Sequence, residues 1–305
     1  MRKLSPKHFD EPVIFDPEEY EIVYSPPCKE KGCWAGAPSV FKDEKGSFWM
    51  AHRNRKPEVR GFEVVVSRSS DGKKFEPVNK IKKGELGVQS LERPALFRDP
   101  FSGKFELYLS ADPSYYGWHL VKLKNSDLPL EFEVEDREIV FKPDPTSRDE
   151  VSVKDPYMIS VGRKRFMFYI GWDQDGESPY MATSVDGLSW ERSESNPLLE
   201  RSGWHSGLTR ISCVMPLDKG YMAYYEGTDR EKFFDLKTGL AYSTNLKSFT
   251  DLTPDEPILE SPVEGSLSTL RYLDYVVEDE RILFYYEAAR KEGALELRVS
   301  EVKKE

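Results

Sequence analysis

Four carboxylates carry the clearest chemical potential in this sequence. Glu92 and Asp155 lie at the starts of strand-like segments, and Glu226 and Glu287 lie at the ends of others. Two carboxylates with different pKa values can serve one bond as proton donor and as base or nucleophile. Glycosidic bonds are cleaved by such pairs, so these residues favour a sugar site.

Basic and aromatic residues accompany the carboxylates. Tryptophan rings stack on sugar faces, and guanidinium groups bind carboxylate or phosphate. The arginines favour an anionic ligand, with inorganic phosphate and a uronic acid as equal candidates; alternatively, the acids and arginines neutralise one another. His52 and His205 could be ligands for a cation, but no third clustered histidine supports a transition-metal site, so we expect neither metal nor cofactor. The predicted binding residues are Trp34, His52, Arg53, Arg93, Trp172, Asp173, His205, Arg210, Glu287 and Arg290.

An internal repeat must position these residues. An apolar strand, a turn and an aromatic strand recur about every 58 residues, followed by a third strand and a polar turn. Hairpin turns contain Gly46, Gly103, Gly162 and Gly220. The repeats begin near residues 36, 92, 154, 208 and 268. The positions taken as equivalent are Pro38, Pro94, Pro156, Ile211 and Leu270.

Four strands at this period are typical of a propeller blade, and helical periodicity is scarce. The segment PVIFDPEEYEIVYSP, residues 12–26, resembles the fourth strands and can complete the last blade. We therefore predict an all-β fold, a five-bladed β-propeller with four-stranded blades, closed by the N-terminal strand. Residues 1–305 would form a single domain. A β-sandwich with coincidental spacing is the alternative.

The propeller geometry brings the candidate residues together. First strands line the axis of such a ring, and second strands run antiparallel beside them. The starts of first strands and the ends of second strands therefore lie on the same face. We expect the carboxylates and the binding residues to converge there on one axial pocket.

Several segments resemble a known superfamily. Lys154-Asp155-Pro156 is similar to the RDP or KDP element of glycoside hydrolase families 43 and 32. Residues 238–262 and 283–300 resemble the last two blades of family 130, which contains mannoside phosphorylases and hydrolases. The blade pattern resembles these five-bladed propeller glycosidases over nearly the whole chain. The resemblance implies a glycoside hydrolase acting on a small-molecule or oligosaccharide substrate, or a phosphorylase using inorganic phosphate.

The chain departs from these families at their catalytic positions. Ala37 stands where families 43 and 32 have an aspartate, and Glu92-Arg93-Pro94-Ala95 replaces the Glu-Asp-Pro-Arg element of family 130. No carboxylate lies at 207–210, where the families 43 and 32 place their acid. Asp155 is retained, and the resemblance implies that it tunes the pKa of the acid and orients it. These losses support a third reading, a non-catalytic sugar-binding propeller.

An active enzyme would need other carboxylates in the missing roles. We expect Glu226 to act as the acid, with its pKa raised by burial and by neighbouring carboxylates. Glu92 or Glu287 would then be the base that holds a water.

Composition narrows the remaining classes. The net charge is −10 with scattered basic residues, which disfavours nucleic acid as a partner. No apolar run is long enough to cross a membrane, and no secretory signal is evident, so we expect a cytoplasmic protein with no membrane partner. The three cysteines are expected to be reduced thiols, with a Cys28–Cys33 bridge as the alternative. Five Asn and two Gln favour a thermophilic source.

Overall fold

The computed structural model describes residues 11–99, 101–232, 234–263 and 267–304, and nearly all of their regular secondary structure is β-strand, which confirms the predicted all-β class. A single helical turn, α1 (Lys83–Leu86), and a 3-10 turn (Gly203–His205) interrupt the strands. The strands are β1 (Glu21–Tyr24), β2 (Trp34–Lys42), β3 (Phe48–Arg55), β4 (Glu63–Ser69), β5 (Glu76–Lys82), β6 (Ser90–Arg98), β7 (Phe105–Asp112), β8 (His119–Lys122), β9 (Glu138–Phe141), β10 (Ser152–Val161), β11 (Lys164–Asp173), β12 (Gly176–Ser184), β13 (Glu191–Arg192), β14 (Leu208–Leu217), β15 (Gly220–Thr228), β16 (Lys237–Ser243), β17 (Thr250–Asp251), β18 (Leu270–Val277), β19 (Arg281–Ala289) and β20 (Leu295–Lys303).

The strands pair antiparallel in consecutive groups of four. β2 to β5, β6 to β9, β10 to β13 and β14 to β17 form four such groups. β18, β19 and β20 form another, and β1 pairs antiparallel with β20, with Glu21 opposite Val299. Because β1 precedes every other strand, the beginning of the described chain and its end share one sheet.

The first strand of each group lies at the centre of the fold. β2 contacts β6 and β18, β6 contacts β10, β10 contacts β14, and β14 contacts β18. These strands are buried over most of their length because apolar side chains of neighbouring groups cover them. The starts of β6, β10, β14 and β18 carry charged side chains, whereas β2 starts with Trp34, Ala35 and Gly36, and these strand ends form the site described below.

A bulge near the start of the first strands sets the direction of the polar side chains. In four groups two residues of the first strand stand opposite one residue of the second strand, and in β14 only Ser212 is extra. A bulge re-aims side chains and bends the strand. The first bulge residue is Ala37 in β2, Glu92 in β6, Asp155 in β10 and Tyr272 in β18.

Three of these bulge residues have left-handed backbone angles. The φ angles are 54° at Ala37, 56° at Asp155 and 56° at Tyr272. Non-glycine residues adopt this region at a cost of about 1–3 kcal/mol, and such strain is concentrated at functional sites. Ala37 therefore occupies the position of Asp155 in its own group, as the sequence comparison proposed.

The bulges revise the alignment of the fifth repeat. The second bulge residue is Pro38 in β2 and Pro156 in β10, and the matching residue in β18 is Leu273 rather than Leu270. The sequence alignment placed this repeat three residues too early because no proline marks its bulge. Pro94 similarly follows the bulge of β6 instead of lying within it.

The cysteines correct a further expectation. Cys28 and Cys33 form a disulfide just before β2, so the expected reduced thiols are wrong for this pair. Cys213 is a buried thiol in β14. No helix among the described residues is long and apolar enough to cross a membrane.

Candidate active site

One half of the polar centre is a group of ion pairs that we call the Arg53 network: Arg53, Arg55, Glu92, Arg271 and Glu287. Arg53 lies between two carboxylates, with Nε 2.8 Å from Oε2 of Glu92 and Nη2 3.0 Å from Oε2 of Glu287. Arg271 faces Glu287 across the β18–β19 pair and donates from Nε at 2.9 Å. Arg55 reaches Glu92 from the more exposed side at 3.4 Å.

The other half is the Arg210 network: Lys154, Glu177, Arg210 and Glu226. Nζ of Lys154 is 2.9 Å from Oε1 of Glu177, and Nε of Arg210 is 2.6 Å from Oε2 of the same residue. Arg210 stands opposite Glu226 in the β14–β15 pair, and its Nη1 is 3.3 Å from Oε1. Glu177 on β12, Arg210 on β14 and Glu226 on β15 are all buried, so each depends on the others for a partner of opposite charge.

Tyr272 joins Asp155 to Glu226. Its hydroxyl donates to Oδ2 of Asp155 at 3.0 Å, and its backbone N–H donates to Oε2 of Glu226 at 2.6 Å. The backbone N–H of Arg93 donates to Oδ1 of Asp155 at 3.2 Å. Nζ of Lys154 lies 3.8 Å from Oδ2, so Asp155 has one distant cation and no guanidinium partner among the described residues.

The carboxylates differ in protonation because their surroundings differ. Burial alone would raise the pKa of Glu92, but Arg53 and Arg55 outweigh it and bring the pKa to about 2. Burial opposes Arg210 and Lys154 in the same way at Glu177, where the pKa is also about 2. At Asp155 burial prevails and raises the pKa, with Lys154 opposing it only in part.

Trp34 packs against guanidinium groups. The guanidinium carbon lies 4.2 Å from the ring centre for Arg55, 4.7 Å for Arg271 and 5.4 Å for Arg53. Cations are attracted to an indole face, which explains how three arginines share this space. Trp34 thus holds arginines in place instead of presenting both its faces to a sugar.

Arg93 is buried between the two networks. Its Nη2 donates to the carbonyl of Leu273 at 3.4 Å, and its guanidinium lies 5.7 Å from the rings of Tyr157 and Tyr272. Its backbone carbonyl accepts from Ser110, which also accepts from the backbone N–H of Asp155. Arg93 therefore supports the bulge that carries Asp155.

The structure brings most of the predicted site residues together. A shared polar centre contains Trp34, Arg53, Glu92, Arg93, Asp155, Arg210, Glu226 and Glu287.

The two histidines lie outside that centre. His52 stacks on Tyr24 with 4.1 Å between ring centres, and burial lowers the pKa of His52 to about 3. Because side chains alternate along β3, His52 and Arg53 point to opposite faces of the strand. His205 instead contacts Thr209 at 2.7 Å and Asp251 at 3.1 Å within its own group.

Three more predicted binding residues have local contacts elsewhere. Asp173 accepts backbone N–H groups of the β11–β12 turn and contacts Arg201 at 3.4 Å. Arg290 faces Glu296 at 3.5 Å beside the β19–β20 turn. Trp172 contacts the edge of Tyr116 at 5.9 Å. Position at a strand end therefore did not suffice to place a side chain in the site.

Five central residues were absent from the predicted set: Arg55 and Lys154, which lie at strand ends, and Glu177, Arg271 and Tyr272. Glu177 lies on β12, a third strand, whereas the predicted residues were those at the starts of first strands and the ends of second strands. Arg271 and Tyr272 were missed because the fifth repeat was misaligned. The cross-strand pairing of Arg271 with Glu287 was a usable signal, since buried carboxylates require a cation or a donor.

No protein-family model matches the chain, and no curated protein matches it in sequence. Solved structures are similar over nearly its whole length. A glycoside hydrolase is 14% identical, with 96% of this chain and 93% of that chain covered and a TM-score of 0.75. A β-1,2-mannobiose phosphorylase from Listeria innocua, in complex with β-1,2-mannobiose, is 14% identical, with coverages of 99% and 95% and a TM-score of 0.65.

A thermostable family-43 glycoside hydrolase is also 14% identical, with coverages of 88% and 89% and a TM-score of 0.66. The chain thus has the fold of glycoside hydrolases and phosphorylases of the family 43 and family 130 kind. The expected resemblance is confirmed at the level of the fold.

Proposed function

We propose that the protein is a carbohydrate-active enzyme that cleaves glycosidic bonds at the junction of the Arg53 and Arg210 networks. The observation that carries this proposal is the difference among the buried carboxylates. The pKa of Asp155 is raised, whereas the pKa values of Glu92 and Glu177 are about 2. Carboxyl groups with separated pKa values are the requirement for acid and base roles in one site.

Asp155 is the proton donor in this proposal. A donor must keep its proton near neutral pH, and Asp155 is the carboxyl group whose burial favours the protonated form. As the bond from the anomeric carbon to the glycosidic oxygen breaks, the proton of Asp155 passes to that oxygen. Tyr272 then donates to the carboxylate that remains.

Glu226 is the base or nucleophile. It accepts from Arg210, from the hydroxyl of Ser212 at 3.0 Å and from the backbone N–H of Tyr272. Three donors fix the orientation of this carboxyl group, which places it to accept a proton from water or to attack the anomeric carbon. This revises the roles expected from sequence, where Glu226 was the acid, Glu92 or Glu287 was the base, and Asp155 tuned the pKa of the acid and oriented it.

Hydrolysis is the leading reaction, and phosphorolysis is the second candidate. In hydrolysis, water supplies the oxygen that bonds to the anomeric carbon. In phosphorolysis, inorganic phosphate supplies it. The mannobiose phosphorylase and the hydrolases share this fold, so both reactions are compatible with it.

We infer that the architecture is one five-bladed propeller over residues 1–305. The antiparallel groups of four strands supply the blades, and the contacts among first strands run in a cycle. The pairing of β1 with β20 supports closure of the ring by the N-terminal strand. Closure of this kind removes exposed sheet edges.

Product release from oligosaccharides and aryl glycosides, with and without phosphate, tests the function. Asp155→Asn should abolish turnover of substrates with poor leaving groups and retain more turnover of aryl glycosides with acidic phenols, which need no protonation. Glu226→Gln should abolish turnover of both kinds of substrate. A phosphate requirement would identify a phosphorylase.

Asp149→Asn is the matched control. Asp149 is a buried carboxylate that pairs with Arg192 outside both networks, so its variant should keep wild-type leaving-group dependence. A folded wild-type protein that binds sugars but turns over none of the panel would contradict the enzyme and favour the sugar-binding alternative.

A further inference from the structure

The Arg53 network has hydrogen-bond donors with no acceptor. Nη1 of Arg53, Nε of Arg55 and Nε1 of Trp34 are buried atoms without a hydrogen-bond partner among the described residues. Arg53 is fully buried and Trp34 is 8% exposed. Buried donors without acceptors are costly, so donors grouped around one ring point to an acceptor that arrives with a ligand.

The network also has an unbalanced charge. The guanidinium groups of Arg53, Arg55 and Arg271 face the carboxylates of Glu92 and Glu287, which leaves one positive charge. Burial, the largest effect, lowers the pKa of Arg55; Glu92 opposes it, and the nearby positive charges of Arg53, Arg60 and Arg271 lower the pKa further. A group that stays charged under such repulsion is suited to receive an anion.

The network is accessible from one side. The side chain of Arg55 is 21% exposed, and that of Arg60, which lies near it, is 24% exposed. Arg53 and Glu287 are fully buried behind them. A ligand group entering past Arg55 would therefore approach the guanidinium groups packed around Trp34, with Glu92 beside Arg55 and with Glu287 fully buried.

We propose that the Arg53 network binds the carboxylate of an acidic sugar, so that the substrate contains a uronic acid. This rests on the proposed function and names its substrate class. One surplus positive charge matches a carboxylate, whereas inorganic phosphate carries about −1.5 to −2 near neutral pH. A carboxylate also has two acceptor oxygens, which matches the two unpaired guanidinium donors, Nη1 of Arg53 and Nε of Arg55.

Binding of free sugars tests this inference without turnover. Isothermal titration would compare glucuronate and galacturonate with glucose, galactose, glucuronamide and inorganic phosphate. At least one of the two uronates should bind about tenfold or more tightly than the corresponding neutral sugar. If glucuronate is the uronate that binds, it should also bind more tightly than glucuronamide. Equal binding of the acids and their neutral counterparts would overturn the proposal.

Arg55→Gln locates the carboxylate. It should weaken uronate binding by about 10- to 100-fold, the loss expected for a charged hydrogen bond, and Arg55→Lys should recover only part of it. The matched control is Arg68→Gln, because Arg68 also stacks on a tryptophan, Trp49 at 5.4 Å, but lies outside the site. Equal losses in the Arg55 and Arg68 variants would contradict the assignment.

The outcomes separate this inference from the proposed function. Uronate binding that depends on Arg55, without turnover of any glycoside, supports the carboxylate site and contradicts the enzyme. Turnover of neutral glycosides by a protein that does not prefer uronates supports the enzyme and overturns the carboxylate site. Phosphate that binds in place of uronates and is required for turnover of neutral sugars also overturns it.

Discussion

The hydroxyl of Tyr272 donates a 3.0 Å hydrogen bond to Asp155, a residue 117 positions earlier in the chain. Both residues occupy the first position of a bulge in a first strand, and both have φ of 56°. The same backbone distortion in β10 and β18 therefore directs two side chains toward each other. Because the N–H of Tyr272 also binds Glu226, one residue positions both proposed catalytic carboxylates.

Tyr272→Phe should change the pH profile of the enzyme. The hydroxyl donates to the carboxylate form of Asp155, so its loss raises the pKa of Asp155 still further. The alkaline limb of kcat/KM should move to higher pH by about one unit, because that limb reports the proton donor in the free enzyme. The measurement is a pH–rate profile on one aryl glycoside.

Tyr275→Phe is the control for that variant. Tyr275 lies in the same strand and donates to the carbonyl of Val214 at 3.0 Å. Its loss should lower stability without moving the alkaline limb. Equal shifts in both variants would show that the limb does not report Asp155.

Asp155→Asn and Glu177→Gln should change stability in opposite directions at neutral pH. Asp155 has a raised pKa, so its ionised form is disfavoured in the folded protein, and a neutral amide should stabilise by about 1 kcal/mol. Glu177 has a pKa of about 2 and pairs with Lys154 and Arg210. Its loss should cost about 3 kcal/mol, because it strands buried cations.

The pH dependence distinguishes the two effects. A raised folded pKa gives stability that is present below the unfolded pKa and lost as pH rises through the folded value, so the advantage of Asp155→Asn should disappear in acid. A depressed folded pKa gives stability that is present above about 4.5 and lost toward pH 2, so the deficit of Glu177→Gln should shrink as pH falls. Urea unfolding at pH 7.5 and pH 4 measures both, and two changes of the same sign would contradict the assignment.

The all-β class was predictable because strand periodicity and turn glycines are local signals. Glycines at positions such as Gly46 and Gly220 mark hairpins regardless of what packs around them. The bulges were less accessible, since a bulge is a relation between two strands. Prolines at Pro38 and Pro156 marked two of them, and the unmarked bulge at Leu273 was misplaced.

The site was predictable where a side chain projects from a regular strand end, as at Glu226 and Glu287. It was not predictable where a contact crosses groups, as with Tyr272 and Asp155. His52 shows the limit in the other direction, since a polar residue at a strand end can face the neighbouring sheet layer. The direction of a side chain depends on its register, which the sequence repeat determines only to within a few residues.

Gly36→Ala should disturb the Arg53 network. A Cβ at Gly36 would lie 2.1 Å from Oε2 of Glu287, the oxygen that accepts from Arg53. We expect a loss of about 2–3 kcal/mol in the free energy of unfolding, because Glu287 must leave its cations or the strands must separate. Gly84→Ala is the control: nothing lies within 4 Å of a Cβ there, and stability should stay within about 1 kcal/mol. Similar effects of the two variants on chemical denaturation would refute the close packing at Gly36.

His52→Phe should leave sugar binding and turnover unchanged while stabilising the protein in acid. His52 stacks on Tyr24, and both of its ring nitrogens are buried without a partner among the described residues. Its pKa falls from 6.5 to about 3, first through burial and then through Arg53 and Lys80. Below pH 6.5, His52 therefore binds a proton in the unfolded chain, whereas in the folded protein it binds one only near pH 3.

The native protein should lose stability as pH falls from 6.5 toward 3, and the phenylalanine variant should escape this loss. The difference should be small at pH 7.5 and about 2 kcal/mol in favour of the variant at pH 5. Urea unfolding at the two pH values measures it. A constant difference would show that His52 ionises normally in the fold, and weaker uronate binding by the variant would return His52 to the site from which its packing on Tyr24 excludes it.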